Sequence, residues 1–288
     1  MTDAALIGAR FALMIDLALL MGLPLFWWVM GIVGRRSVVA LLAGAGVLLS
    51  AFWLLASAAA MTGTPITQPD WATAQILLTM TPIGPVLAVR GVALSLALVA
   101  AAAPQGDRWA LFPAAVAAAT LAWTGHAGAT EDVAGSLHRA ADVAHIWAAA
   151  GWIGALAVLL HAILTVSPVG GDARRIAAIL SRFSLMGTLI VATLVATGAI
   201  NGALIVGLDQ LPALVGSRYG WLLGAKLALF GLMLALAAAN RWRLTPALEN
   251  DGTARAWMHL RLSLLVETSA AIAIIGLVAW LGTLDPMA

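Results

Sequence analysis

Eight apolar stretches, each close to the length a helix needs to cross a bilayer, occupy most of this 288-residue chain. They run Leu6–Val33, Val38–Ala60, Gly84–Ala103, Ala110–Gly125, Ala140–Thr165, Phe183–Gly207, Tyr219–Asn240 and Leu260–Gly282. A spanning helix needs about 20 mostly apolar residues, because it rises about 1.5 Å per residue through about 30 Å of hydrocarbon. The fourth stretch is the shortest, and Thr73–Pro82 reads as an interfacial prelude to the third. Composition closes the alternatives. With 62% hydrophobic and 10% charged residues, the chain cannot coat a globule in water, where about 25% charge is usual. A soluble enzyme, a disordered chain and a nucleic-acid-binding module are excluded. The pI of about 9.9 accompanies a net charge of only +2, so it signals no nucleic-acid partner. The solvent is lipid.

The connections fix an expected orientation. Arg35, Arg36, Arg108, Arg174, Arg175, Arg182, Arg241, Arg243, Arg255 and Arg261 fall on one side, whereas only Arg139 and Arg218 fall on the other. The positive-inside rule then places both termini outside, with the connections around Pro65, His126–Arg139 and Leu208–Ser217. The apolar start at Leu6 lacks a basic n-region and is too long for a signal-peptide core, so it reads as a retained first span. Trp71, Trp109, Trp221, Trp242, Trp257 and Trp280 lie near predicted span ends, as an aromatic belt would. No connection can house a soluble catalytic domain. The expected architecture is therefore all-α: a single integral-membrane domain over residues 1–288, eight membrane-crossing helices with both termini periplasmic, and no enzymatic activity. Thr81-Pro-Ile-Gly84 followed by Arg90 parallels Ser217-Arg-Tyr-Gly220 followed by Lys226, which suggests a 4+4 parallel repeat.

Ionisable side chains inside a bilayer are costly and default to functional candidates. Asp16, Arg90, Lys226 and Glu267 sit within spans, and Asn201 adds a neutral polar group. Two readings stay open: these groups pair or snorkel to fix helix register, or they line a polar route for an ion or proton. Three of the five histidines gather near one mouth, namely His126, His138 and His145. His138, Asp142 and His145 follow i, i+4, i+7 spacing and share a face if the helix begins early enough. Imidazoles suit copper, zinc, iron and nickel, and Asp142 is placed to orient one by accepting its second N–H. Met14, Met21, Met61 and Met80 offer thioethers that suit Cu(I), although methionine in such helices is usually packing. Cysteine is absent, so thiolate chemistry is excluded.

Asp142-Val-Ala-His145 followed by Trp152-Ile-Gly154 resembles the fifth-span signature of the copper resistance protein D family (CopD, also PcoD). The resemblance continues through Arg182-Phe-Ser184, Thr197-Gly198 with Asn201, Tyr219-Gly220 with Lys226, Asn240-Arg241 with Pro246, and Glu267. Gly125-His126 is similar to the motif that ends the family's fourth span, so the signature covers about residues 125–286. The preceding part resembles the family in span pattern and in Gly84 with Arg90. The resemblance implies an eight-span bacterial inner-membrane protein that handles copper, usually as an importer served by a separate CopC-like periplasmic copper-binding protein. His126 and His145 match family positions, with His138 a weaker match. Two functions follow as expectations. In one, an outer histidine mouth captures Cu(I) or Cu(II), and Asp142, Lys226, Glu267, Asn201 and Arg90 support or line the route inward. In the other, His126 with His145 and His161 with His259 ligate haem in a membrane redox protein.

Overall fold

The apolar stretches fold as helices in the computed structural model, which describes residues 2–125, 132–165, 172–207, 214, 216–250 and 254–285. They are α1 (Thr2–Met30), α2 (Arg36–Thr62), α3 (Trp71–Met80), α4 (Ile83–Ala102), α5 (Leu111–Ala119), α6 (Asp132–Thr165), α7 (Asp172–Val206), α8 (Arg218–Ala239), α9 (Thr245–Asn250) and α10 (Ala254–Leu281). A helical turn, Gly106–Trp109, precedes α5, and a π turn, Asn240–Leu244, joins α8 to α9. Among the described residues there is no strand. Seven helices among the described residues are long and apolar enough to cross a membrane: α1, α2, α4, α6, α7, α8 with its continuation to Leu248, and α10.

The stretch expected as the fourth span, Ala110–Gly125, is shorter than a full crossing helix. It forms α5 and then tightens into a 3₁₀ turn over Thr120–Trp123. The Thr120 hydroxyl donates to the Ala117 carbonyl at 2.5 Å, taking up an oxygen that an α-helical ladder would use. The expected prelude to the third span forms α3, which Asp70 caps by accepting the Thr73 N–H at 3.0 Å. That bond and the Thr73 hydroxyl hold the Asp70 carboxyl below the usual carboxylate range.

Helix α1 forms the centre of the packing. Leu13, Leu17, Leu20 and Phe26 are fully buried along it, and it contacts α2, α5, α6 and α10. Its approach to α6 depends on glycine. A Cβ on Gly22 would collide with the Ala150 carbonyl, and one on Gly154 would collide with the Gly22 backbone. Helices in lipid gain little from apolar transfer, so such backbone contact is a principal source of their association. Trp71, Trp109, Trp221 and Trp242 are exposed as a belt requires, but Trp257 is not. It is 6% exposed because it shares the inward stripe of α10 with Leu260 and Leu264.

The two segments that suggested a repeat share a close glycine approach, with hydroxyl bonds that differ by one residue in register. Gly84 lies so close to the Leu78 carbonyl that no side chain fits, and Gly220 meets the Leu214 carbonyl in the same way. Thr81 Oγ1 accepts the Ile83 N–H at 3.2 Å, while Ser217 Oγ accepts the Gly220 N–H at 2.9 Å. Each hydroxyl also donates back to a leucine carbonyl, of Leu77 and Leu214 respectively. Arg90 and Lys226 then follow their glycines at equal spacing.

Candidate functional site

Two pairs of polar side chains interlock between α6 and α7. Asp142 and His145 lie one turn apart on α6, and Thr197 and Asn201 lie one turn apart on α7. Such spacings put each pair on one helical face. His145 Nδ1 meets Thr197 Oγ1 at 2.9 Å, and Asn201 Nδ2 donates to Asp142 Oδ1 at 3.2 Å. A hydroxyl from the neighbouring helix, not Asp142, therefore meets His145 Nδ1. The geometry also sets the histidine tautomer. Thr197 donates its one proton to the Thr193 carbonyl at 2.6 Å, so it accepts from His145 Nδ1–H. Nε2 keeps its lone pair, the form an imidazole needs to bind a metal. A Cβ added at Gly198 would meet His145 Cε1 at 3.7 Å, an ordinary contact, so this residue packs close to the ring.

Lys226 on α8 is near enough to act electrostatically on both Asp142 and His145. Among the described residues, Asn201 Oδ1 is buried without a hydrogen-bond partner, so the cluster holds a spare acceptor. His138 stands two turns before His145 on α6 and is 1% exposed. His126 lies outside the described residues. Among the described residues, no three or more of His, Asp and Glu stand close enough together to hold a metal ion. Met21 is buried on α1, whereas Met61 and Met80 are exposed. His161 and His259 are exposed near helix ends.

Glu267 on α10 occupies a second centre. Trp152 Nε1 donates to its Oε1 at 2.9 Å, and Asn240 Nδ2 donates to its Oε2 at 3.1 Å. Asn240 opens the π turn, which the Thr245 hydroxyl braces by donating to the Asn240 carbonyl at 2.8 Å. Turns of this kind recur where a helix is bent for function. Arg90 belongs to neither centre. It is fully buried, donates from Nε to Thr120 Oγ1 at 2.7 Å, and stacks its guanidinium over Trp53 at 5.7 Å. Among the described residues, its two terminal nitrogens have no hydrogen-bond partner, and neither does Oδ2 of buried Asp16.

Thr197, Trp152 and Asn240 complete these centres but were not singled out as site residues. All three stand inside the quoted motifs, and Thr197 precedes Asn201 by one turn, which was the available signal.

Long apolar helices, with interior carboxylates such as Asp142 and Glu267 bonded to neighbouring helices, define a polytopic α-helical membrane protein. Residues 177–281 match the family described as Copper resistance protein D, and residues 1–136 match Copper resistance protein D-like, N-terminal domain. The chain is 37% identical over 308 residues to Copper resistance protein D of Pseudomonas syringae pv. tomato, covering 99% of this chain and 98% of that one. It is 30% identical over 166 residues to Inner membrane protein YebZ of Escherichia coli (strain K12), covering 58% of this chain and 55% of that one. No solved structure matches it. The chain belongs to the copper resistance protein D family and is a multi-pass protein of the inner membrane. The family match extends through the N-terminal half, where the motifs alone were sparse.

Proposed function

We propose that this protein carries copper across the inner membrane, taking it from the periplasm at His145 and passing it inward through the bundle. The observation that carries this reading is the His145–Thr197 bond, which occupies Nδ1 and leaves the Nε2 lone pair for a metal. In this reading His126 and His138 assist the capture. Lys226 keeps the site from holding a cation too tightly, as a conducting site requires. Glu267 stands further along the route, and Asn201 supplies an oxygen through its spare carbonyl. Arg90 orders the N-terminal half around Thr120 and Trp53 rather than touching the metal.

The topology is part of the proposal. Residues 1–288 act as one membrane domain, α5 and its 3₁₀ turn make the eighth crossing, and both termini face the periplasm. The arginine asymmetry supports this orientation. A cation moving inward gains about 2.3 kcal/mol per charge per 100 mV of interior-negative potential, so the membrane potential can drive uptake. A separate CopC-like periplasmic protein would deliver the copper. Copper content of cells lacking or overproducing the protein tests the function. Less copper in the deletion strain and more in the overproducer supports uptake, and the opposite pattern shows export.

A further inference from the structure

We infer that the end of the bundle where α2 begins and α4 ends holds one anionic phospholipid. Its phosphate would sit between Arg36 and Arg108, and an acyl chain would lie along the α2–α4 groove. The inference rests on two adjoining spaces that share Arg36. One is a cavity of about 220 Å³ lined by Val33, Gly34, Arg36, Gln105, Asp107 and Arg108. The other is a groove of about 690 Å³ lined by Arg36, Ser37, Ala40, Leu98, Ala101 and Ala102. Arg36, Arg108, Asp107 and Gln105 line the first, although much of its wall is apolar. The second is largely apolar and open because three of its lining residues are alanine.

The head of this site is built rather than loose. Asp107 is buried and accepts the Gly34 N–H at 3.1 Å, tying the α1–α2 connection to the turn before α5. Arg36 donates to the Ala103 carbonyl at 2.9 Å, which fixes its guanidinium across the mouth and leaves other N–H groups free. Gln105 adopts a left-handed φ of 57°, and Gly106 lies against the Ala100 carbonyl where no side chain fits. Non-glycine residues persist in that conformation only where the surroundings impose it. Together these contacts hold Arg36 and Arg108 beside one cavity.

Charge selects the occupant. Arg35, Arg36 and Arg108 are exposed here, the first turn of α2 has no acid, and Asp107, bonded to the Gly34 N–H, offsets one of the three charges. The excess is positive. Basic pockets between membrane helices suit phosphate headgroups, and guanidinium groups match them with paired N–H donors. Trp109 and Phe112, both largely exposed beside the site, suit the headgroup boundary and the chains beneath it.

The test uses the full chain purified in detergent. Native mass spectrometry reads retention of added phosphatidylglycerol or phosphatidylethanolamine by wild type, Arg36→Gln, Arg108→Gln and the control Arg255→Gln. The expected result is one retained phosphatidylglycerol in wild type and Arg255→Gln, and at least tenfold less in the other two. Phosphatidylethanolamine should be lost readily, and millimolar inorganic phosphate should leave the bound lipid in place. Equal retention by all four proteins, or equal retention of both lipids, overturns the site. Displacement by inorganic phosphate overturns the lipid as occupant. Each variant's melting curve is recorded alongside. If Arg36→Gln fails to fold, Arg108→Gln, whose side chain makes none of the loop-fixing bonds described here, decides alone.

Discussion

The Trp152 indole N–H donates to Glu267 Oε1 over 2.9 Å, joining residues on α6 and α10 that are far apart in the chain. Asn240 holds the second carboxylate oxygen, so both oxygens accept from neutral donors on neighbouring elements. Hydrogen bonds to a charged group contribute about 1.5–3 kcal/mol each, more than ordinary ones. Trp152→Phe should therefore lower the melting temperature measurably. The substituted phenyl ring would retain the aromatic packing on Phe230 but leave a carboxylate oxygen bare. An unchanged melting curve would show that the bond carries no stability.

Glu267→Gln and Lys226→Met remove charge at similar size and reduce the cost of burying it. Both variants should accumulate to near wild-type levels but move less copper into proteoliposomes. Normal transport by both would place the route elsewhere and leave these residues a structural role.

The α1–α6 contact predicts a sharp difference among glycines. Gly22→Leu and Gly154→Leu force side chains into opposing backbone and should cost more than the roughly 1–3 kcal/mol of ordinary overpacking. Gly8→Ala meets nothing within 4 Å and should be neutral or slightly stabilising. Size-exclusion profiles and melting curves separate these outcomes. A well-folded Gly154→Leu protein would contradict the close contact.

The proposed orientation makes a direct prediction. A reporter fused to the C-terminus should be active in the periplasm and silent in the cytoplasm. The reverse result would invert the topology and place the His145 end of α6 on the cytoplasmic face.

Run length made most of the fold legible, because an apolar stretch such as Val38–Ala60 has no alternative to a spanning helix. The exception is instructive. Leu111–Ala119 reads as apolar as its neighbours, yet the chain tightens into a 3₁₀ turn at Thr120, whose hydroxyl bonds the Ala117 carbonyl. The i, i+3 spacing of Asp142 and His145 put both on one face, and left open which imidazole Asp142 would orient. Sequence cannot show that Thr197 and Asn201 arrive from α7 to claim them separately. Likewise, Trp257 near a helix end read as a belt residue, and only its packing with Leu260 shows that it points inward. The partnership of Trp152 with Glu267 was invisible because it depends on how α6 and α10 meet.

The Thr197 bond gives a test of the tautomer. Thr197→Val keeps the shape but cannot accept from Nδ1–H, and loss of such a supporting partner typically costs about 10–100-fold in metal affinity. Thr197→Ser keeps the hydroxyl and should restore most of it. Protons compete with copper for Nε2, so binding should weaken as pH falls. Affinity independent of both Thr197 and pH would remove the imidazole from the site.

Copper titration of the detergent-solubilised protein, comparing wild type with His145→Ala, His126→Ala and Asp142→Asn, tests the central claim most directly. His145→Ala should lose most of the copper affinity while remaining folded. His126→Ala should weaken binding, and Asp142→Asn should act more mildly because its amide oxygen still accepts from Asn201. Equal affinity in all four proteins would contradict capture of copper at His145.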